Sequence, residues 1–241
     1  MTTTFDGKTA IPKEKWWSET ESPKAWMSVR DADLYEALLH RIAESRAGEP
    51  LRVVEWGAGR STLWYTSFLE SLGVPYRWLA LEHHGEYFRE SIAPRLNQRP
   101  DAAAVEDDHP DTIRALLATK STVAVGFCAG GLRPFLPGRE ADRNADLDAY
   151  VSLPRRLGLE WDLMVTDGRK RRRCVLEALE LLSPTGFVLL HDAWRKHYQC
   201  AWSSWTSGRR FGDEWWIGSR ATTDFTDVLP WHAFERHAEP L

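Results

Sequence analysis

The sequence predicts an α/β fold whose sheet is mostly parallel. Apolar segments of strand length alternate with amphipathic helical segments, which is typical of parallel strands joined by helices. One strand pattern, Leu51–Trp56, runs directly into a glycine turn and a helix. Acidic residues follow several strand patterns, at the sheet edge where open parallel sheets bind ligands. The strand patterns lie at 51–56, 76–81, 102–105, 122–128, 161–166, 187–190 and 211–219, with 228–234 as an antiparallel partner of the last.

Helical patterns separate these strands. The first helix can be capped by Ser28 or Asp31, and its leucines recur at helical spacing. The second is expected to end at Gly73, because glycine is the residue that most readily closes a helix and Pro75 prevents its continuation. The helical patterns span 31–47, 61–72, 86–96, 111–118 and 171–182.

Composition indicates an ordinary globular protein. The chain has 241 residues, 43% of them hydrophobic, enough for one sizeable domain. We expect this domain to span 31–241, with a tail or lid at 1–30 and an insertion or flap at 119–158. A net charge of −4 gives no reason to expect nucleic-acid binding, and no apolar run approaches the roughly 20 residues of a membrane span. We therefore expect a cytoplasmic protein with a small-molecule partner; a homo-oligomer is compatible with the sequence.

The segment Leu51–Thr62 has the features of a cofactor-binding turn. Glycines let a ligand approach the backbone closely, and free N–H groups at a helix start favour a polar or anionic group. A dinucleotide-binding turn would carry a third glycine where Thr62 stands, and a carboxylate at Glu55 would repel a pyrophosphate. Glu55 can instead accept hydrogen bonds from an ammonium group or from structured water, and Glu82, which ends the next strand, can hold a ribose diol. These features favour S-adenosylmethionine, with predicted contacts from Glu55, Gly57, Ala58, Gly59, Ser61, Thr62 and Glu82.

With these residues the chain resembles the class I S-adenosylmethionine-dependent methyltransferases. The resemblance covers roughly residues 51–193 and rests on VVEWGAGRST, LALEHH, WDLMVTDG and LLSPTGFVLLHD. It implies a Rossmann-like, doubly wound, mostly parallel seven-stranded sheet with an antiparallel C-terminal strand. The Asp-Gly and His-Asp pairs that follow two of its strands are similar to those of small-molecule O-methyltransferases, some of which bind a divalent metal there. Pro184-Thr185-Gly186 departs from the family's usual Pro-Gly-Gly, in a turn that leaves the chemistry untouched.

The same resemblance implies where adenine would lie. His83 follows the second strand, where relatives place a side chain near adenine. Asp107 or Asp108 follows the third and offers an acceptor for the adenine amino group. A solvated acidic loop explains the same two aspartates.

Asp167, His191 and Asp192 are the predicted catalytic residues. In one arrangement they bind Mg²⁺ or another divalent ion, which lowers the pKa of a bound hydroxyl and orients it; a histidine nitrogen would shift the preference away from Mg²⁺. In a second arrangement no metal binds and His191 is the general base. In a third, His191 and Asp192 only tie the strand end through hydrogen bonds.

The predicted substrate residues are aromatic or cationic. Trp17 belongs to a tryptophan pair of which one ring can project into a pocket mouth, or which simply packs across the end of the domain. The cations from Arg169 to Arg173 begin a helix, where the helix dipole favours negative charge. Nearby carboxylates can offset them, or an acid group on a small planar substrate can. Trp194 and Arg195 extend the same region.

The predicted function is S-adenosylmethionine-dependent methylation of a small molecule, on a hydroxyl, with or without a divalent metal such as Mg²⁺. Two alternatives remain open from the sequence. One is an NAD(P)-dependent oxidoreductase on a similar sheet, which Thr62 and Glu55 disfavour. The other is a non-catalytic S-adenosylmethionine-binding partner protein, which the acidic residues at three strand ends disfavour.

Overall fold

A computed structural model describes residues 25–127 and 146–235, with an eight-stranded sheet at the centre. Across the sheet the strands follow the order β3-β4-β2-β1-β5-β6-β8-β7, and only the pairs β6–β8 and β8–β7 are antiparallel. The prediction of an α/β fold with a Rossmann-like, mostly parallel sheet and an antiparallel C-terminal strand is therefore confirmed. In chain order the strands are β1 (Leu51–Trp56), β2 (Tyr76–Glu82), β3 (Ala102–Val105), β4 (Thr122–Gly126), β5 (Trp161–Thr166), β6 (Leu182–Leu190), β7 (Ser207–Phe211) and β8 (Trp215–Ser219).

Helices cover both faces of this sheet. They are α1 (Val29–Ser45), α2 (Arg60–Ser71), α3 (85–96), α4 (Pro110–Thr119), α5 (Asp148–Leu157) and α6 (Arg171–Leu181), with 3₁₀ helices at Lys196–Ser204, Phe225–Asp227 and Trp231–Phe234. No helix in the described ranges has the length and apolar character needed to cross a bilayer.

Among the described helices, α3 and α5 have a proline beyond their first residue, and each accommodates it differently. In α3 the segment Phe88–Ile92 widens to a π-helix just before Pro94, which has no N–H to offer a regular helical bond. In α5, Pro154 leaves the carbonyl of Tyr150 without its helical donor. The indole Nε1 of Trp56 donates to that carbonyl at 3.1 Å and so joins α5 to β1. Sequence patterns did not predict α5, which carries Pro154 in its interior, where proline is normally excluded from helices.

The sheet has eight strands, one more than the seven implied by the resemblance. The predicted strand at 122–128 forms β4, which lies between β3 and β2. The segment 119–158 was expected to be an insertion or flap, yet its described ends are the internal strand β4 and the helix α5. The residues between 127 and 146 lie outside the described ranges.

The predicted antiparallel partner at 228–234 is wrong. Ser207–Phe211 takes that place as β7, and Trp231–Phe234 forms a 3₁₀ helix instead. The chain turns there because Leu229 N–H bonds to the carbonyl of Phe225 at 2.9 Å, and because Pro230 has no N–H for a ladder.

Tryptophans fill the core on both faces of the sheet. Trp78 and Trp215 belong to the cluster on one face, and Trp56 and Trp216 to the cluster on the other. Trp215 and Trp216 are neighbours in β8, so they point to opposite faces. The ring of Trp216 stacks on Trp202, with centroids 5.5 Å apart.

Two paired glycines make room for Trp216. Gly208 in β7 lies opposite Gly218 in β8, and the Trp216 ring covers both. A Cβ atom on Gly208 would lie 2.6 Å from Cζ2 of Trp216.

We expect Gly208→Ala to lower the free energy of unfolding by about 1–3 kcal/mol, because the stacked ring cannot move aside. Denaturant unfolding would measure this loss. In a Trp216→Phe background, where the smaller ring leaves space, Gly208→Ala should cost much less. An equal cost in both backgrounds would contradict the packing argument.

Candidate functional site

A cavity of about 710 Å³ opens at the carboxyl ends of β1, β2 and β5. This is the edge, near the point where strand order reverses, at which open parallel sheets bind ligands. Trp26, Tyr87 and Arg95 contribute to its outer wall. The cavity brings together many of the predicted site residues, namely Gly57, Ala58, Gly59, Ser61, Glu82, His83, Asp167 and Arg169.

The glycine turn is shaped by close backbone contact. Gly57 has φ +110°, and a Cβ atom there would lie 2.6 Å from the backbone nitrogen of Gly168, so the loops after β1 and β5 touch. The N–H groups of Gly57 and Ala58 both donate to the carbonyl of Leu81. The turn is therefore held against the end of β2 before any ligand binds.

Thr62 explains why the third glycine is absent. Its Oγ1 accepts from the N–H of Gly59 at 3.0 Å and donates to Oε2 of Glu55 at 2.6 Å. The side chain is fully buried and does not line the cavity. Thr62 thus fixes the start of α2, where the first N–H groups have no partners within the helix.

Glu55 lies beneath the turn. It is 1% exposed, it does not line the cavity, and its carboxylate accepts from Ser61, Thr62 and the Nε1 of Trp78. Burial raises the pKa of Glu55 to about 7, although these three hydrogen bonds oppose the rise. The geometry thus does not favour the predicted direct contact with a cofactor. It favours an indirect role, in which Glu55 supports the turn.

Glu82 has one oxygen bound by the protein and one available. Its Oε1 accepts from the N–H of His84 at 2.7 Å and lies 3.0 Å from Nδ1 of His83. Oε2 accepts no hydrogen bond from another described residue, and Glu82 lines the cavity. This carboxylate can accept a hydrogen bond from a hydroxyl group of a ligand.

A second cavity, of about 370 Å³, lies beside β4. Asp108, Phe127 and Tyr150 line it, and the Tyr150 ring also meets His83 edge-on at 6.0 Å. Asp108 is paired with Arg156 at 2.9 Å. Asp107 is exposed, lines neither cavity, and accepts from the N–H of His109.

Arg171 connects the ends of β5 and β6. Its guanidinium group donates three hydrogen bonds to backbone carbonyls and forms ion pairs with two carboxylates. Nε donates to the carbonyl of Gly168 at 3.0 Å, and one terminal nitrogen donates to the carbonyl of Asp167 at 2.8 Å and pairs with Oδ1 of that residue at 3.0 Å. The other terminal nitrogen donates to the carbonyl of His191 at 2.7 Å and pairs with Oδ2 of Asp192 at 2.9 Å. Desolvation opposes the charged form, yet Asp192 and Asp167 raise the pKa of Arg171 above its ordinary value.

His191 is held between two carboxylates. Its Nδ1 lies 2.9 Å from Oδ1 of Asp167, and its Nε2 lies 3.3 Å from Oε2 of Glu214. Burial alone would lower the pKa of His191, but Asp167, Asp192 and Glu214 raise it to about 9. The surrounding carboxylates thus favour the charged imidazole, a form in which the ring has no lone pair with which to act as a base.

Glu214 is fixed in turn by α1. Burial raises the pKa of Glu214 to about 7, against the opposing charge of His191. Its N–H and that of Asp213 donate to the carboxylate of Asp31, which is fully buried near the start of α1. The amino end of α1 thereby sets the position of the residue that holds His191.

The strand-end cluster does not fit a metal ion. Ligand atoms of Asp167, His191 and Asp192 do lie within 4.8 Å of one another. However, the guanidinium of Arg171 already bridges the two carboxylates, and His191 Nδ1 faces Asp167 Oδ1 at hydrogen-bond distance. A divalent cation would have to displace one cation and a proton.

The predicted substrate residues are only partly brought together. Arg169 lines the main cavity. Arg195 stacks over the Trp194 ring at 5.0 Å and pairs with Asp192 at 3.1 Å, and neither residue lines that cavity. Trp17 lies outside the described residues. Much of the cationic run is offset by local carboxylates, since Arg173 also pairs with Asp148 at 2.6 Å.

Sequence reasoning missed the roles of Arg171 and Glu214. Arg171 stands four residues after Asp167 at the start of a helix, and this spacing was available as a signal. Glu214 lies in the turn between β7 and β8, and nothing local in the sequence links it to His191.

We expect the His191 imidazole to be protonated at pH 7 and to titrate near pH 9, above the ordinary 6.5. Its contribution to the free energy of unfolding is thus fully present below about pH 6.5 and lost as pH rises through about 9. NMR of the ring nitrogens would give the midpoint. Glu214→Gln should lower it, whereas Glu49→Gln, at an exposed position near the start of β1, should not. A midpoint at or below 6.5 in the unaltered protein would contradict this arrangement.

A scan of protein-family models and a search of curated proteins both find no match to this chain. Similar solved structures include a methyltransferase-like protein from Silicibacter pomeroyi, 14% identical, with a TM-score of 0.46 over 87% of this chain and 100% of that one. Spermidine synthase from Thermotoga maritima is 11% identical, with a TM-score of 0.47 over 82% of this chain and 62% of that one. The CMeT domain of the citrinin polyketide synthase is 15% identical, with a TM-score of 0.42 over 73% of this chain, which spans 48% of the matched one.

Proposed function

We propose that this chain binds S-adenosylmethionine in the main cavity and transfers its methyl group to a hydroxyl of a small molecule. The observation that carries the proposal is the edge formed by β1, β2 and β5. There a tight glycine turn lies between two carboxylates, Glu82 and Asp167, and each has an oxygen available to a ligand.

The cofactor would be held by the glycine turn and Glu82. The start of α2 presents N–H groups to the carboxylate of the methionine part. Oε2 of Glu82 accepts from the ribose hydroxyls. The adenine part would extend past His83 toward the second cavity, where Asp108 is better placed than Asp107 to meet the amino group.

The acceptor would bind near Asp167. S-adenosylmethionine supplies an electrophilic methyl group when bound, so the protein has mainly to align the nucleophile and accept its proton. Oδ1 of Asp167 is fixed by Arg171 and His191, while Oδ2 accepts no hydrogen bond from another described residue. Asp167 can therefore orient an acceptor hydroxyl through Oδ2 and take its proton as the methyl group passes from sulfur to oxygen and S-adenosylhomocysteine leaves.

Arg169 favours an acceptor with an acid group. It lines the cavity two residues after Asp167, so a small planar molecule whose hydroxyl meets Asp167 could place a carboxylate or phosphate beside its guanidinium. Trp26, whose ring is 56% exposed, offers an aromatic surface on the same cavity.

The two alternatives predict different ligands or no turnover. An NAD(P)-dependent oxidoreductase needs room for a pyrophosphate at the turn. Here Thr62 stands in place of the third glycine, and the buried carboxylate of Glu55 lies beneath the turn. A non-catalytic S-adenosylmethionine-binding protein would bind the cofactor and transfer nothing.

We expect S-adenosylmethionine to raise the melting temperature and NAD to leave it unchanged. Glu82→Gln should weaken S-adenosylmethionine binding roughly 10-fold or more, because a charged acceptor becomes a neutral one. Calorimetric titration would measure this, with Glu90→Gln on the same cavity wall as the matched control. Stabilisation by NAD alone would reverse the assignment.

We expect Asp167→Asn to lower methyl transfer by about 10²–10⁴-fold while changing S-adenosylmethionine affinity little. Transfer of labelled methyl groups to a panel of small hydroxylated aromatic acids would measure the rate. Asp227→Asn, an exposed aspartate in a C-terminal 3₁₀ helix, is the control. Equal rates in the Asp167 variant and the unaltered protein would exclude this role, and cofactor binding without transfer to any acceptor would favour the non-catalytic alternative.

A further inference from the structure

We propose that Arg171 is the resident cation of the strand-end cluster Asp167, His191 and Asp192, and that this cluster takes no divalent metal ion. The three residues have the types and spacing of a metal site. Arg171 stands where the ion would neutralise the two carboxylates.

The first support is the completeness of the Arg171 contacts. All three nitrogens of the guanidinium donate to backbone carbonyls just after β5 and β6, and the two terminal nitrogens also form ion pairs with Asp167 and Asp192. The side chain is 9% exposed and packs over the Tyr198 ring at 5.5 Å. Removing it from the cluster would leave these carbonyls without their side-chain donor and take from both carboxylates the cation they share, at a cost that a surface arginine would not incur.

The second support is the state of the would-be ligand atoms. Oδ1 of Asp167 is in contact with the side chains of both Arg171 and His191. Oδ2 of Asp192 forms ion pairs with both Arg171 and Arg195. His191 has its nitrogens directed at Asp167 and Glu214. A metal needs lone pairs that converge on one point, and these lone pairs are already engaged.

The third support is the local charge. Two guanidinium groups, of Arg171 and Arg195, lie on the two carboxylates. An added divalent ion would meet these cations at short distance in a partly buried site, where their repulsion is weakly screened. The cluster therefore works as a closed ion-pair network that leaves Oδ2 of Asp167 to the cavity.

The test measures metal binding and does not depend on methyl transfer. Mn²⁺ is titrated into the full chain, and free Mn²⁺ is followed by electron paramagnetic resonance. We expect no saturable binding up to about 1 mM. Arg171→Met removes the cation that the two carboxylates share and should gain binding at least roughly 10-fold tighter than this limit, with a rise in melting temperature on adding Mn²⁺. Arg172→Met, at the next and exposed position of α6, is the matched control and should gain nothing.

Each outcome decides the proposal. Saturable Mn²⁺ binding to the unaltered protein that Asp192→Asn removes would overturn it. So would a folded Arg171→Met protein that binds no Mn²⁺, because Arg171 would then not be what keeps the ion out. If Arg171→Met does not fold, the titration of the unaltered protein decides by itself: saturable binding lost in Asp192→Asn overturns the proposal, and no binding supports it.

Discussion

The site depends on one guanidinium group, that of Arg171, placed between the ends of two parallel strands. Parallel strands end with carbonyls pointing along the sheet edge, and here the loops after β5 and β6 add a carboxylate each. A planar guanidinium group has five N–H donors spread over three nitrogens and can meet three carbonyls and two carboxylates together, whereas an ammonium group has only three donors on one nitrogen. It also explains how a cation-rich segment can begin a helix, since the carboxylates of Asp167 and Asp192 offset the charge that the helix dipole disfavours.

The two carboxylates that face the main cavity, Glu82 and Asp167, are held by the protein in the same way. Glu82 at the end of β2 and Asp167 after β5 each have one oxygen fixed by neighbouring groups and the other without a described protein partner. The fixed oxygen sets the orientation of the side chain, so the available oxygen is positioned before a ligand arrives. Such preorganisation lowers the entropic cost of binding and of alignment. Glu55, buried beneath the cavity, contributes to the same preorganisation, because its hydrogen bonds order the glycine turn that lies between Glu82 and Asp167.

Much of this site could be predicted from the sequence, because its parts are local. A strand, a glycine turn and a helix start lie within twelve consecutive residues, from Leu51 to Thr62, and parallel pairing brings Glu82 and Asp167 to the same edge. The supporting contacts could not be predicted, because they join distant segments. Glu214 reaches His191 only through the β7–β8 turn, which Asp31 of α1 holds from across the chain. Burial then changes what His191 can do, and no local pattern reports burial.

The order of strands was the other feature that local patterns could not supply. The strand pattern at 122–128 predicts a strand but not its neighbours, and β4 pairs between β2 and β3. Because β4 separates these two strands, the acidic residues after β3 lie one strand, about 4.8 Å, further from Glu82 than direct pairing would place them. Phe127 directly follows β4, and its ring meets Tyr150 edge-on at 5.6 Å beside the second cavity. An aromatic surface therefore borders the place where the adenine ring is proposed to bind, and Asp108 lines the same cavity.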